Sequence, residues 1–565
     1  MLTGEQLGEW LPKSVQALRT YDRRRFFSDA IAGVTVGLVA IPLAMAFAIA
    51  SGLTPQAGLY TAIVAGFLIS AFGGSTTQIG GPTGAFVVVV FGIVTKYGVD
   101  ALFLCTLLAG ILLVILGITG LGTAVKYIPR PVVVGFTNGI AITIASTQVK
   151  DFFGLRAENV PGDFYGRMKV LLGVFSTLSP LETGLGCLAL VVILLCMRYA
   201  KRVPGYIVAL VIGTVLVWAL HLHVETIGTR FGGIPSGLPK IKIPTFRADL
   251  IRPLIPSVIT VALLGAIESL MSAVVSDRMT GDKHNPNVEL VGQGIANMFS
   301  PLFGGLPATG AIARTATNVR AGARTPVAGM VHALTLLAIL LFAAPMASYV
   351  PLSVLAAILF VVSYNMGDWA EIPELFKLSR LEIGTWLVTF GLTVFADLTV
   401  AVEAGMILAA LVFIRKVTLT TKVSRINPDH VHKDRVHVVS DKVIPSYVAL
   451  FRIHGPFLVG ATDKLDEVVR QIPSLPPVII LRLRHMTAID STGLLALEDF
   501  ADQVHQAGRA LILCGAPEQP TQLMRQAEFE QHVGQENICD NIAAALARAR
   551  AVHEQMAAPS IPATT

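Results

Sequence analysis

Apolar stretches follow one another from residue 30 to residue 415 with few charges between them, a pattern that excludes a single soluble globule. A helix needs about 20 mostly apolar residues to cross a bilayer. Candidates lie at 30–50, 56–72, 101–119, 131–149, 183–198, 205–221, 254–275, 288–303, 326–348, 351–366, 381–395 and 398–415. Two further segments, 82–96 and 308–320, are shorter and more irregular. The expectation is an α-helical membrane protein of about fourteen helices, some too short to span alone. Over the whole chain only 14% of residues are charged, against about 25% in a typical soluble domain. The deficit ends near residue 416, beyond which the chain reads as an ordinary soluble domain.

Basic residues test the helix count, because cytoplasmic connections are enriched in Lys and Arg. With the Arg23-Arg24-Arg25 run inside, alternation also places Lys126, Arg130, Arg198, Lys201, Arg202, Arg278 and Lys283 inside. Arg320, Arg324, Lys377, Arg380, Arg415 and Lys416 follow the same rule. Both termini are therefore expected in the cytoplasm, and the protein in the inner membrane. The net charge of +6 is explained by this topology; without a basic-aromatic patch, nucleic acid is not an expected partner. The five cysteines show no metal-ligand spacing. No nucleophile, metal or phosphate-loop constellation stands out, so neither an enzyme nor a cofactor is expected. Residues 1–28 contain no apolar core of a cleavable signal peptide. The expected organisation is a cytoplasmic segment at 1–29, a transmembrane domain at 30–416, a linker at 417–436, a soluble domain at 437–555 and a tail at 556–565.

The two short segments share an internal echo. Gly80-Gly81-Pro82-Thr83-Gly84-Ala85 precedes the first, and Gly304-Gly305-Leu306-Pro307-Ala308-Thr309-Gly310-Ala311 leads into the second. By helix count they are the third and the tenth, at matching places in two halves of seven. Seven is odd, so the halves must be inverted relative to each other. Interrupted segments at matching positions mark the binding site of a transporter. A helix that starts inside the membrane leaves its first N–H groups unpaired and carries about +0.5 charge at that end. Two such ends aimed at one spot hold a small anion. Thr83 and Thr309 are candidate hydroxyl donors. The competing reading is that these glycines only permit close helix packing.

Ionisable residues within spanning segments are costly and mark function. Glu268 stands alone within Val258–Ser276, with Ser272 one turn on along the same face. The pair could take Na⁺, or Glu268 a proton; a structural hydrogen bond between helices is the alternative. Arg314, one turn after Gly310, could attract the anion or partner Glu268. His332 reads as a satisfied packing residue.

These residues carry a resemblance to the SulP/SLC26 anion transporters. The matching stretches are Gly33–Tyr60, GGPTGAF at 80–86, GAIESLMSAVVSD at 265–277 and GLPATGAIARTATNVRAG at 305–322. The resemblance implies two inverted seven-helix repeats arranged as core and gate. It also implies an anion held by Phe47, Thr83, Gly84, Ala85, Gly310 and Ala311, with Arg314 near it. IPLAMA at 41–46 and IESL at 267–270 are similar to bacterial C4-dicarboxylate-transporting members. In a sodium-dependent bicarbonate-transporting member, positions matching Glu268 and Ser272 bind sodium, while Ile312 stands here for a third, threonine ligand. Leu43 replaces the Glu or Gln that many members carry after the first proline. Sulfate, dicarboxylate and bicarbonate thus remain as substrates, with H⁺ or Na⁺ coupling. The second functional reading is an anion channel or exchanger whose soluble domain scaffolds a cytosolic partner.

In that soluble domain Val448–Ile453, Val478–Leu483 and Ala510–Cys514 read as strands and Ser491–Gln506 as a helix. This is a small α/β sandwich. Ile489-Asp490-Ser491-Thr492-Gly493-Leu494 resembles the signature of STAS domains, in some of which the matching serine is phosphorylated. Asp490 or Ser491 also suits the N-cap of the helix that starts there. In the family this domain supports assembly, so a homodimer is expected.

Overall fold

The computed structural model describes residues 10–18, 21–120, 129–157, 160–200, 204–234, 237, 241, 247–377, 379–396, 398–426 and 444–557. Lys126, Lys201 and Arg202 lie outside them, as do half of the expected linker and most of the expected tail. The chain divides into two compact units, Met1–Ala409 and Ala410–Thr565.

The first unit is built from apolar helices: α1 (Arg23–Ala50), α2 (Pro55–Phe72), α3 (Gly84–Tyr97), α4 (Val99–Ile118), α5 (Arg130–Phe153), α6 (Pro180–Tyr199) and α7 (Gly205–Ala219). The second half supplies α8 (Ala248–Thr280), α9 (Pro286–Phe299), α10 (Ile312–Arg320), α11 (Val327–Ala347), α12 (Leu352–Met366), α13 (Arg380–Phe395) and α14 (Leu398–Thr420). Among the described residues, eight helices have the length and composition to cross a membrane. Pro55, Pro180 and Pro286 open α2, α6 and α9, where the missing proline N–H costs nothing. Ser179 and Asn285 cap the last two.

The helices sort into two bundles. In one, α9 packs on α4 and α2, α11 on α1 and α2, and α8 on α4. In the other, α5 packs on α12 and α13, and α6 on α7 and α12. The first bundle interleaves the halves through glycine. A Cβ on Gly110 of α4 would stand 2.7 Å from the Gly294 carbonyl of α9, and one on Gly294 would stand 2.6 Å from the Gly110 carbonyl. Gly37 of α1 meets Thr335 of α11 in the same way, at 2.9 Å. Without a hydrophobic drive between helices in lipid, such close approach supplies the dispersion that holds them.

Two very short strands cross in this bundle. β1 (Gly80–Gly81) pairs antiparallel with β2 (Thr309–Gly310), Gly80 opposite Gly310 and Gly81 opposite Thr309. Each strand leads directly into a short helix, β1 into α3 and β2 into α10.

The second unit, which begins within α14, holds a five-stranded sheet in the order β3-β4-β5-β6-β7. The strands are β3 (Lys422–Arg425), β4 (Val448–His454), β5 (Val478–His485), β6 (Ala510–Cys514) and β7 (Ile538–Cys539). β3 is antiparallel to β4 and the remaining pairs are parallel. Helices α15 (Asp463–Val469), α16 (Ser491–Gln506) and α17 (Glu518–Gln526) pack on one face, and α18 (Ile542–Ala557) on the other. Part of the expected linker is thus structured: α14 continues to Thr420 and β3 occupies Lys422–Arg425. Asp490 caps α16, accepting from the Gly493 N–H at 2.8 Å, while its other oxygen accepts from the Val459 N–H at 3.1 Å. Ser491, the first residue of α16, is exposed.

Gly294→Leu should force α4 and α9 apart and destabilise the protein by about 1–3 kcal/mol, the usual cost of overpacking. Thermal unfolding of the purified protein measures this. Gly391→Ala, where nothing lies within 4 Å of the added carbon, should leave the midpoint unchanged.

Candidate functional site

The crossing of β1 and β2 brings the starts of α3 and α10 together. Thr83 occupies the N-cap of α3 and Ala311 that of α10, and no side chain caps either helix. The preceding groups are already engaged: the Ala311 N–H donates to the Ile79 carbonyl at 2.8 Å, and the Gly310 N–H to Ser269 Oγ of α8 at 3.3 Å. The first-turn N–H groups of α3 and α10 thus follow the crossing without a side-chain cap. Small residues make this possible. A Cβ on Gly310 would overlap the Gln78 amide, and one on Gly84 would overlap Met366 of α12, with Ile144 of α5 3.2 Å away. Gly81 has φ +147° with Arg314 Nη1 against it, a position that admits only glycine. Ala85 and Ala311 are buried beside these ends, and buried Phe47 lies on α1, which packs against both α3 and α10.

The polar side chains take different places from those expected. The Thr83 hydroxyl donates to Glu268 Oε2 at 2.7 Å, so α8 holds the N-cap residue of α3. Thr309 is fully buried and anchors β2 to α8, donating to the Gly265 carbonyl at 2.9 Å and sharing a hydrogen with Ser269 Oγ at 2.6 Å. Neither threonine is left as a free donor. Ser272 takes Thr315 as its partner, at 2.9 Å, and the structure does not bring it to Glu268. Arg314 is 2% exposed and donates Nη2 to the Pro82 carbonyl just before α3, while Nη1 is buried without a partner. No ion pair joins it to Glu268 among the described residues. Its charge thus adds to the positive end of α3. His332 is fully buried, yet neither ring nitrogen has a partner, which corrects its reading as a satisfied packing residue.

Sequence reasoning missed the residues that hold the crossing in place. Buried Glu289 of α9 accepts from the N–H groups of Gly74 and Ser75 at 2.9 and 3.1 Å and from Gln293 at 2.8 Å. Thr77 bonds Ser276, Asn318 donates to the Thr77 carbonyl, Gln78 donates to the Ser269 carbonyl, and the Ile79 N–H donates to Thr315. On the other side Asn297 makes two 2.8 Å bonds to the N–H and C=O of Ala308, and the Leu306 N–H donates to Thr61 at 2.6 Å. Each connection into a half-helix is thus satisfied by side chains from the opposite half or from its neighbour. Their signal in the sequence was weak: polar residues scattered singly through apolar helices. A cavity of about 370 Å³ between α5 and α8, lined by Arg130, Leu270, Met271 and Arg278, reaches Ile267, next to Glu268.

A sequence profile for the sulfate permease family matches residues 26–389, and one for the STAS domain matches residues 440–545. The chain is 40% identical over 526 residues to "Putative sulfate transporter YvdB" of Bacillus subtilis, covering 92% of this chain and 97% of that protein. The chain belongs to the sulfate permease family. Its family relatives include the bicarbonate transporter BicA of Synechocystis, 31% identical over 543 residues and covering 93% of this chain and 94% of that protein. The solved transmembrane domain of a cyanobacterial BicA aligns with a TM-score of 0.61 and 34% identity, covering 69% of this chain and 98% of that one. SLC26A9 has the same fold along the whole chain, with a TM-score of 0.85 at 17% identity and coverage of 98% and 95%. The protein is therefore a multi-pass membrane protein of two inverted seven-helix repeats followed by a STAS domain.

Gly310→Val should separate β2 from β1 and weaken anion binding by about ten- to a hundredfold, the value of one or two charge-assisted hydrogen bonds. Equilibrium binding of labelled sulfate, bicarbonate and succinate measures this. Gly92→Ala, on an open side of α3, should bind normally. Unchanged affinity in Gly310→Val would separate the helix ends from binding.

Proposed function

We propose that this member of the sulfate permease family is a secondary active transporter of small oxyanions that works by alternating access. The observation that carries the reading is the crossing of Gly80–Gly81 and Thr309–Gly310, which sets two uncapped helix N-termini at one place. Backbone N–H groups and the unpartnered Nη1 of Arg314 recognise the charge of the anion. Phe47, Thr83, Gly84, Ala85, Gly310 and Ala311 line the site in this reading. Sulfate, bicarbonate and a C4-dicarboxylate such as succinate share the oxygen acceptors that such a site takes, and relatives named for the first two support them.

Coupling follows from the Thr83–Glu268 bond. Glu268 is the carboxylate joined to the N-cap residue of α3, so a proton or Na⁺ on it alters the charge beside the anion. Ser272 would serve a Na⁺ site only after leaving Thr315. Anion and cation then move together as the bundle carrying β1 and β2 shifts against α5 and α12, where Gly84 meets Met366 and Ile144. Placement in the cytoplasmic membrane with both termini inside, homodimerisation and recruitment of a cytosolic partner through the STAS domain belong to the same proposal.

Reconstitution in proteoliposomes tests it. Labelled sulfate, bicarbonate and succinate are offered in parallel, at varied pH and with or without Na⁺. Accumulation of one anion against its gradient is the expected result, and strictly downhill flux would indicate a channel. Glu268→Gln keeps an oxygen that accepts from Thr83 but cannot change charge. It should bind the anion and lose cation-driven accumulation; unchanged pH and sodium dependence would remove Glu268 from coupling.

A further inference from the structure

The STAS domain carries a cluster of cations that transport does not use. On β4, Val448 and Leu450 sit beneath α18, and two residues on the same alternation places Arg452 and His454 on that face. On β5, Val478 and Ile480 are followed in the same phase by Arg482, and the exposed Arg484 comes next at a break in the register. Arg452 stands directly opposite Arg482 in the parallel register, and Lys422 of β3 opposite His454. An irregularity after Arg452 brings His485 beside His454, with ring centroids 5.5 Å apart.

None of Lys422, Arg452, Arg482 and Arg484 makes an ion pair or a side-chain hydrogen bond among the described residues. Arg482 is 7% exposed, and Nε of Arg452 is buried without a partner. Burial draws the Arg482 guanidinium below its ordinary range; the Cys514 sulfur opposes this, and Arg484 and Arg452 add to it. Burial also lowers His485, with His454 and the three arginines acting the same way. Like charges directly opposite each other destabilise a sheet, and a buried cation without a partner is costly. A phosphate bridging the guanidiniums would remove both penalties.

The chain itself fixes where this patch lies. α14 ends at Thr420 and Lys422 opens β3 two residues later. The Thr421 hydroxyl donates to the Pro456 carbonyl at 2.6 Å, and a Cβ on Gly455 would stand 3.1 Å from the Thr420 carbonyl. The end of β4 that carries His454 is therefore held against the end of α14, and Lys422 follows by six residues the Arg415-Lys416 pair expected at the cytoplasmic face of the membrane. We propose that Lys422, Arg452, Arg482 and Arg484 bind the phosphate of an anionic phospholipid in the leaflet where α14 ends. The membrane thereby holds the sheet by its cationic end.

The test uses the full chain in phosphatidylcholine nanodiscs doped with a photoactivatable phosphatidylglycerol, with labelled peptides mapped by mass spectrometry. Peptides spanning Lys422–Arg425 and Arg482–His485 should be labelled, and raised salt should reduce the labelling. Lys422→Gln and Arg484→Gln, both at exposed positions, should each reduce it about fivefold, the effect of one basic residue at an anionic surface. Arg452→Gln should lose labelling while unfolding at no lower a temperature in phosphatidylcholine alone, because it relieves the repulsion with Arg482. Three results would each overturn the proposal: equal labelling by a phosphatidylcholine probe, unchanged labelling in the variants, or displacement of the probe by millimolar inorganic phosphate. The last would assign the patch to a soluble anion instead.

Discussion

Two residues of one half of the chain hydrogen-bond to two residues of the other, and the rest of the membrane unit is arranged around that crossing. β1 and β2 are too short to be stable alone. They persist because Glu289, Gln78, Thr315 and Asn318 satisfy the approach to β1, while Asn297, Thr61 and Ser269 satisfy the approach to β2. Irregular backbone is tolerated at membrane depth only where protein meets its polar groups. Here the protein meets the groups of the approaches and leaves the helix ends uncapped. In the proposed function, that incomplete satisfaction is what binds the anion.

Charge at that place is balanced without an ion pair. Arg314 reaches across to the Pro82 carbonyl and strengthens the positive end of α3. Glu268 takes the Thr83 hydroxyl. The cation and the carboxylate thus address opposite sides of one short segment, Pro82–Thr83, instead of each other. Under the proposed function, that separation draws the anion to Arg314 and the coupled cation to Glu268.

Much of this architecture was legible in the sequence because lipid imposes simple rules. Apolar length gave the helices, basic residues gave their expected alternation, and the Thr-Gly-Ala pattern repeated at Thr83–Ala85 and Thr309–Ala311 gave the inverted halves. Side-chain partners were less legible. Ser272 and Glu268 share a helical face, yet tertiary packing turned one toward Thr315 and the other toward Thr83. Thr309 looked like a site donor and is a buried anchor. Glu289 and Asn297 passed unremarked within the candidate span 288–303, although they hold the approaches to the crossing. β3 escaped notice because four residues next to a helix end give no usable period.

The measurement closest to the central claim is a structure of the full chain with bound selenate, located by its anomalous signal. The account predicts the anion between the starts of α3 and α10, within about 3 Å of their first backbone N–H groups. Selenate found instead in the crevice between α5 and α8, with both helix ends bare, would contradict it.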